Sequence, residues 1–189
     1  TDKAKKEMFD AIYDKAKGKF SDADIMKINI HTYHSFAYNY LLDAGLISGN
    51  IVGNNLMRFS ILNSFEKNKA LNYGKDYIIS EIVPKTENSI RYIKSFGITP
   101  DKIDIKKATS VLEKIFDEKS SSYTMDELKS FLKYFIEAYK DYEKSKLQAI
   151  DYSDMLLMFK EKFSGNKFQY VLVDEMQDMN EIEAEIATM

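Results

Sequence analysis

Two adjacent carboxylates after an apolar run are the side chains of this 189-residue chain best suited to catalysis. Residues 170–173 read YVLV, and Asp174 and Glu175 follow directly. Such a run predicts a strand buried on both faces of a parallel sheet, and sites in these sheets form at the carboxyl ends of strands. Neighbouring side chains there point to different sides, so one acid can hold Mg²⁺ through its water shell while the other faces a nucleophilic water. The pattern predicts a magnesium-dependent hydrolytic site.

The residues that follow the acidic pair make this pattern more specific than an acidic surface turn. From Val173 the sequence reads VDEMQDMN, which resembles the Walker B motif of the UvrD, Rep and PcrA helicases, usually VDEFQDTN. The resemblance implies that Asp174 binds Mg²⁺ and that Glu175 is the general base that activates water. It also implies that Gln177 contacts the γ-phosphate of ATP and couples it to DNA.

A second segment resembles a DNA-contacting part of the same helicases. Residues 31–37 read HTYHSFA, similar to the TFHSF-type segment at the edge of the sheet. Thr32, His34 and Ser35 can donate hydrogen bonds to phosphate oxygens, and a helix that begins there adds partial positive charge. One alternative is a plain helix cap that satisfies Ser35 locally. The other is a metal site from His31 and His34, which is disfavoured because no acid lies near them in sequence.

Two weaker matches complete the order of motifs found in the family. Residues 1–8 read TDKAKKEM, similar to the TNKAAKEM stretch that follows the first DNA-contacting strand, which implies DNA contacts for Thr1 and Lys3. Residues 151–156 read DYSDML, similar to the DFDDLL link that returns from the inserted domain, and we interpret them as structural. Four matches in the family's order are more specific than any one of them.

Three of the departures from the family's usual forms bear on the predicted contacts. Asp2 replaces Asn, which puts a polar DNA contact there in question. Met176 replaces an aromatic residue and Met179 replaces Thr. Both methionines lie beside the predicted metal and base positions, so they bear on coupling more than on the chemistry.

The phosphate-binding loop of a nucleotide hydrolase is the part of the motor that the sequence lacks. No G-x-x-x-x-G-K-[ST] string occurs in it, and in the family that loop lies upstream of where this chain begins. We therefore expect an excised fragment or truncated product that is inactive alone as an ATPase. The implied parent is an ATP-dependent DNA helicase or translocase of replication or DNA repair, with Mg²⁺ and ATP as cofactors. Its expected partners are single-stranded DNA, the junction of single- and double-stranded DNA, and the rest of the motor.

The elements that must position these residues are mostly helical. With 7 Gly and 2 Pro the chain has few breakers, and residues 25–30 add a second short strand through their alternating pattern. The predicted fold class is α/β, predominantly helical. Residues 1–49 and 150–189 form a partial RecA-like P-loop NTPase lobe with few parallel strands, and residues 50–149 form a large all-helical inserted domain.

Local signals predict several helix boundaries. Apolar spacing predicts helices over residues 3–17 and from Tyr33 to Asp43. Capping boxes predict helix starts at Thr124 with Glu127 and at Asn180 with Glu183. The short apolar run at 78–83 fits a strand or a buried helix, and we assign it to a helix.

Composition restricts the class of protein further. A net charge of −3 argues against a protein that coats nucleic acid through bulk charge, so any DNA contact must be local. The absence of Cys excludes disulfides and thiolate zinc sites and agrees with a cytoplasmic location. No segment approaches the ~18 apolar residues of a membrane span, so we expect no membrane partner.

Three other functions remain open on the sequence alone. One is a non-enzymatic helical module that binds nucleic acid or protein. Another is a magnesium-dependent phosphohydrolase that uses Asp174, Glu175 and Asp178 without ATP coupling. The third is a subunit of an AddA- or RecB-like helicase–nuclease, because those enzymes share these motifs.

Overall fold

The computed structural model describes residues 2–68, 73–116, 123–165 and 168–189. This part of the chain is predominantly helical, as predicted. Its α-helices are α1 (Asp2–Ala16), α2 (Asp22–Ile25), α3 (Tyr33–Asp43), α4 (Asn54–Asn68), α5 (Lys75–Tyr77), α6 (Val83–Ser95), α7 (Ile105–Ile115), α8 (Met125–Ser145), α9 (Tyr152–Lys162) and α10 (Glu181–Ala187). Within these residues, no helix has both the length and the apolar composition needed to cross a bilayer.

Capping boxes begin four of these helices. In α3, α8, α9 and α10 the N-cap side chain accepts a hydrogen bond from the backbone N–H of the third helical residue, whose side chain accepts one from the N-cap backbone N–H; the caps are Thr32, Thr124, Asp151 and Asn180. Each box satisfies two backbone N–H groups that lack partners within the helix. The predicted starts at Thr124 and Asn180 are confirmed, and so is the helix from Tyr33 to Asp43.

The helix predicted over residues 78–83 is also present, with a local widening. Ile78–Ile82 form a π-helical turn between α5 and α6, in which the Val83 N–H donates to the Ile78 carbonyl. Pro84 follows directly and has no N–H to continue the α-helical pattern. The π-helical turn therefore joins α5 to α6 just before the proline, and the backbone stays helical throughout.

The first hydrophobic core belongs to α4, α6 and α8 with the π-helical turn. Its buried residues are Met57, Ile61, Phe65, Ile78, Ile82, Val83, Ile90, Phe135, Ile136, Ala138, Tyr139 and Tyr142. The Tyr139 hydroxyl donates to the Ile98 carbonyl at 2.9 Å, which satisfies its polar end. All of these residues fall between positions 57 and 142, so this middle part of the chain has a core of its own.

The second core joins residues from both ends of the chain. Ala37 and Leu41 of α3 pack with residues of α9 and α10, namely Met155, Leu156, Phe159 and Ile182. The segment that enters the middle helices lies beside the segment that leaves them, as shown by the hydrogen bond that the Val52 N–H donates to the Ile150 carbonyl at 2.9 Å. In sequence, the middle helices therefore lie between two segments that share one core.

The two predicted strands are not formed in the described residues. At 25–30, the Ser21-capped α2 ends at Ile25 and the following residues have no regular structure. At 170–173, Tyr170 is 81% exposed and Leu172 is 97% exposed. Across the described residues, β-type backbone pairing is limited to isolated bridges outside these two segments. A parallel strand needs backbone partners and a covered sheet, and the described residues supply neither, so Met26, Ile28 and residues 170–172 stay open to solvent.

A buried ion cluster, here called the joint cluster, connects the middle helices to α9. It consists of Lys94 on α6, Glu143 on α8, Lys146 at the end of α8, and Asp151 and Asp154 at the start of α9. The Lys94 ammonium lies 2.6 Å from carboxylate oxygens of both aspartates. Tyr142 donates to Asp151 at 2.7 Å. Each buried charge thus has close opposite charges, as burial requires.

Candidate functional site

The acid loop, residues 173–180, is held in a tight turn by its own backbone. Glu175 has a left-handed conformation with φ +51° and ψ +44°, which is uncommon for a residue other than glycine. Met176–Asp178 form a single 3₁₀ turn, and the Asp178 N–H donates to the Glu175 carbonyl at 2.9 Å. The backbone strain at Glu175 falls on the residue predicted to be the base, a pattern found at functional sites.

The side chains of this loop have distinct local partners. Asp174 accepts a hydrogen bond from the Glu175 N–H at 3.1 Å, and the Gln177 amide donates to the Glu175 carboxylate. Asp174, Glu175 and Gln177 are all exposed. Hydrated carboxylates of this kind suit the outer shell of Mg²⁺, which keeps several of its waters. These carboxylates fit the predicted roles of Asp174 in magnesium binding and of Glu175 as the general base.

The second predicted segment forms the capped start of α3. The Ser35 N–H donates to Thr32 Oγ1 at 3.1 Å, and the Thr32 N–H donates to Ser35 Oγ at 3.0 Å. Ser35 also donates its hydroxyl hydrogen to the Thr32 carbonyl at 3.1 Å. The Thr32 hydroxyl only accepts in this arrangement, so its hydrogen can still be donated to a ligand. Thr32 is therefore better placed than Ser35 to contact a phosphate.

The two histidines have separate surroundings. His34 packs edge-on against Tyr152, with ring centroids 5.6 Å apart, and its Nδ1 lies 3.9 Å from a Glu183 carboxylate oxygen. Burial lowers the pKa of His34, and the Glu183 charge opposes that shift. His31 packs against Phe36, and burial together with Lys5 lowers its pKa. No group of potential metal ligands found in the described residues includes either histidine.

The structure brings the two main predicted segments together. The Tyr33 hydroxyl donates to the Met179 sulfur at 3.6 Å, across 146 positions of sequence. The next residue of α3, His34, lies 3.9 Å from Glu183 of α10, four positions after Met179. The start of α3 therefore lies against the end of the acid loop.

The remaining predicted DNA contacts are Thr1 and Lys3, of which Thr1 lies outside the described residues. Lys3 is on the exposed surface of α1, where its ammonium lies 3.7 Å from Glu7 of the same helix. This ion pair links Lys3 to neither the acid loop nor the start of α3.

The joint cluster is the feature that sequence reasoning missed. Lys94 follows Ile90 by four positions and so lies on the buried face of α6, and a lysine at such a position signals a buried partner. Glu143, Asp151 and Asp154 are close enough together to hold a metal ion. The ammonium groups of Lys94 and Lys146 already neutralise these acids, so the cluster is a structural joint.

Comparison with known proteins places the chain among DNA helicases. The model of the UvrD/REP helicase N-terminal domain matches residues 1–189. A probable DNA helicase II homolog of Mycoplasma pneumoniae is 28% identical over 173 residues, which cover 86% of this chain and 22% of that protein. The chain thus spans about a fifth of that relative's length, and no solved structure matches it. Because the family model covers the whole chain, the chain belongs to the UvrD/REP helicase family through its N-terminal domain.

Proposed function

We propose that this chain is part of the first RecA-like lobe of an ATP-dependent DNA helicase or translocase of DNA replication or repair in the cytoplasm. The acid loop carries the proposal, because the sequence VDEMQDMN occurs in a chain that belongs to the UvrD/REP family. In the whole motor, Asp174 binds Mg²⁺ through its water shell and Glu175 accepts a proton from the attacking water. Positioning and charge stabilisation supply most of the catalysis in such phosphoryl transfer.

Gln177 has a role that its hydrogen bond to Glu175 supports. An amide that contacts both the γ-phosphate and the base senses whether the phosphate is present. It then adjusts the orientation of the Glu175 carboxylate. This role gives Gln177 a function in coupling rather than in proton transfer.

We further propose that residues 50–149 are a helical insertion into the lobe formed by 1–49 and 150–189. The separate core of the middle helices and the side-by-side arrangement of Val52 and Ile150 support this division. In the same proposal, residues 28–30 and 170–173 pair with other strands of the motor. The exposure of Leu172 supports that pairing, since an apolar run needs a cover.

The proposed DNA ligand is the backbone of a single strand that contacts Thr32 and His34 at the start of α3. The helix N-terminus and the Thr32 hydroxyl supply hydrogen-bond donors. This chain alone offers few basic contacts, so we expect it to bind single strands no more tightly than the ~10⁻⁴–10⁻⁶ M of nonspecific binding, and in a salt-sensitive way. The junction with duplex DNA and the rest of the motor are the further partners in this proposal.

Glu175→Gln in the full-length parent tests the proposed hydrolysis. The amide keeps the shape of the side chain but cannot accept the proton, so DNA-stimulated ATP turnover should fall by about 10²–10⁴-fold while ATP binding remains. Asp174→Asn should also raise the Mg²⁺ concentration needed for turnover, because it removes charge from the outer shell of the metal. Steady-state ATPase assays over a Mg²⁺ series measure both effects.

Glu181→Gln is the matched control, because Glu181 is an exposed glutamate in the first turn of α10. It should leave turnover unchanged. Turnover by Glu175→Gln within a few-fold of the wild type would mean that water is activated elsewhere and would refute the proposed role. Divalent-dependent phosphate-ester hydrolysis by this chain alone would favour the phosphohydrolase instead.

A further inference from the structure

Two residues that differ from the family's usual motifs contact each other. Tyr33 stands where the TFHSF-type segment has Phe, and Met179 stands where VDEFQDTN has Thr. The Tyr33 hydroxyl, which Phe lacks, donates to the Met179 sulfur at 3.6 Å. Both side chains are half-buried. The two departures therefore form one contact between the start of α3 and the acid loop.

This contact is the long-range tether of the acid loop. The hydrogen bonds that the structure describes within the loop are local, such as those from Gln177 to Glu175 and from Asp178 to the Glu175 carbonyl. Among the described residues, the side-chain hydrogen bond that reaches the loop from a distant part of the sequence is that of Tyr33. Tyr33 therefore makes a direct side-chain contact from α3 to the turn, in addition to the packing of α10 against α3.

A second contact lies directly beside the first. One Glu183 carboxylate oxygen accepts from the Asn180 N–H at 3.1 Å, where the acid loop ends and α10 begins. The other oxygen lies 3.9 Å from His34 Nδ1. Tyr33 and His34 are consecutive, so the first turn of α3 holds both the end of the loop and the cap of the next helix.

We propose that Tyr33 is a positioning residue that couples strand binding at Thr32 to the acid loop, with His34 in support. This inference rests on the proposed function. A phosphate bound at Thr32 orders the first turn of α3, and the next residue, Tyr33, then fixes Met179. Fixing Met179 sets the turn that carries Glu175 and Gln177 in the geometry required for hydrolysis. Tyr33 itself contacts neither the water nor the nucleotide.

Removal of the hydroxyl or of the sulfur tests this coupling in the full-length parent. Tyr33→Phe and Met179→Leu each remove one partner and keep an apolar side chain of similar size. Each should lower turnover at saturating oligothymidylate by about 3–10-fold, the effect of losing one hydrogen bond. Turnover without DNA and the affinity for the oligonucleotide should stay within about two-fold. The double variant should be no worse than either single variant, because both remove the same contact.

Tyr40→Phe is the matched control on the same helix. Tyr40 lies two turns further along α3, and its hydroxyl contacts Ser164 and the Lys162 carbonyl rather than a residue of the acid loop. Its loss should leave DNA stimulation unchanged. Unchanged stimulation in Tyr33→Phe, an equal fall in turnover with and without DNA, or additive effects in the double variant would each overturn the coupling role. If Glu175→Gln abolishes turnover while Tyr33→Phe has no effect, the coupling fails alone, whereas an active Glu175→Gln refutes the proposed function itself.

Discussion

Among the residues that the structure describes, two other than glycine have left-handed backbone conformations, and they differ in what surrounds them. Glu175 lies in the acid loop, where Gln177 and Asp178 hydrogen-bond to it. Leu147 has φ +54°, directly follows the last turn of α8, and is 90% exposed. A left-handed conformation costs an ordinary residue about 1–2 kcal/mol. At Glu175 this strain accompanies a proposed catalytic role, whereas at Leu147 no packing offsets it.

Leu147→Gly should therefore stabilise the protein. Glycine adopts this conformation without strain, although it loses more backbone entropy on folding, so we expect a net gain of about 0.5–1 kcal/mol in the free energy of unfolding. Urea denaturation measures this gain. The control is Leu42→Gly, an exposed position within α3, where the same substitution should cost about 1 kcal/mol. Destabilisation at both positions would show that Leu147 has a packing role.

At the scale of elements, the interface of α4, α6 and α8 contains buried hydroxyl groups. Some of them have hydrogen-bond partners within the described residues, and others do not. Ser60 on α4 donates to Ser145 at the end of α8 at 2.7 Å. Ser64 on α4 and Thr86 on α6 are buried, and their hydroxyls have no hydrogen-bond partner in the described part of the chain. A buried hydroxyl that lacks a partner loses its hydration without compensation. This packing is thus less stable than its apolar area alone would provide.

Thr86→Val should raise the free energy of unfolding by about 1 kcal/mol. Valine keeps the branched shape and removes the group that loses its hydration. Ser60→Ala is the comparison, because it removes the hydrogen bond that Ser60 donates to Ser145, which keeps its own bond to the Tyr142 carbonyl, and it should lower stability by about 1 kcal/mol. Thermal and urea unfolding would show whether Thr86→Val raises the free energy of unfolding and Ser60→Ala lowers it. Equal losses would mean that the Thr86 hydroxyl has a hydrogen-bond partner in solution, such as a water molecule.

At the scale of the whole molecule, the joint cluster connects the two cores. Burial alone would raise the pKa of Asp151, but the charges of Lys94 and Lys146 outweigh it and lower the pKa to about 2. Burial alone would lower the pKa of Lys94, but Asp151 and Asp154 raise it above the ordinary lysine value. Lys94 and Asp151 are therefore both charged at neutral pH, and their ion pair fixes α9 against α6.

The stability of the protein should fall in acid because of this cluster. The pKa of Asp151 is lower in the folded state than the ordinary ~3.9 of an unfolded chain. Its contribution is therefore complete above about pH 4 and is lost as the pH falls toward 2. The shift corresponds to about 2–3 kcal/mol. The wild type should lose stability between pH 5 and pH 2.5 in urea unfolding, and the loss should be smaller by about 1.5–2 kcal/mol in Asp151→Asn, because part of the contribution of Asp151 remains at pH 2.5.

Asp101→Asn is the control for this acid effect, because Asp101 is exposed in the 3₁₀ turn at Pro100–Lys102. It should lose as much stability in acid as the wild type does. An Asp151→Asn variant with the same acid dependence as the wild type would show that Asp151 does not titrate below its ordinary range.

The sequence by itself determined the elements that depend on nearby residues. The boundaries of α3, α8 and α10 followed from apolar spacing and from caps in which the partners are three residues apart. The acid loop was likewise recognisable because its residues are contiguous. Such interactions are local, so the types of adjacent residues are sufficient to predict them.

The tertiary structure alone decided the features that join distant residues. Residues 25–30 and 170–173 have the composition of strands, but strand hydrogen bonds need a neighbouring strand, which the described residues do not offer. The contact of Tyr33 with Met179 spans 146 positions, and that of Lys94 with Asp151 spans 57. No local pattern records such pairings, because they arise only when helix packing brings side chains from separate parts of the chain into reach.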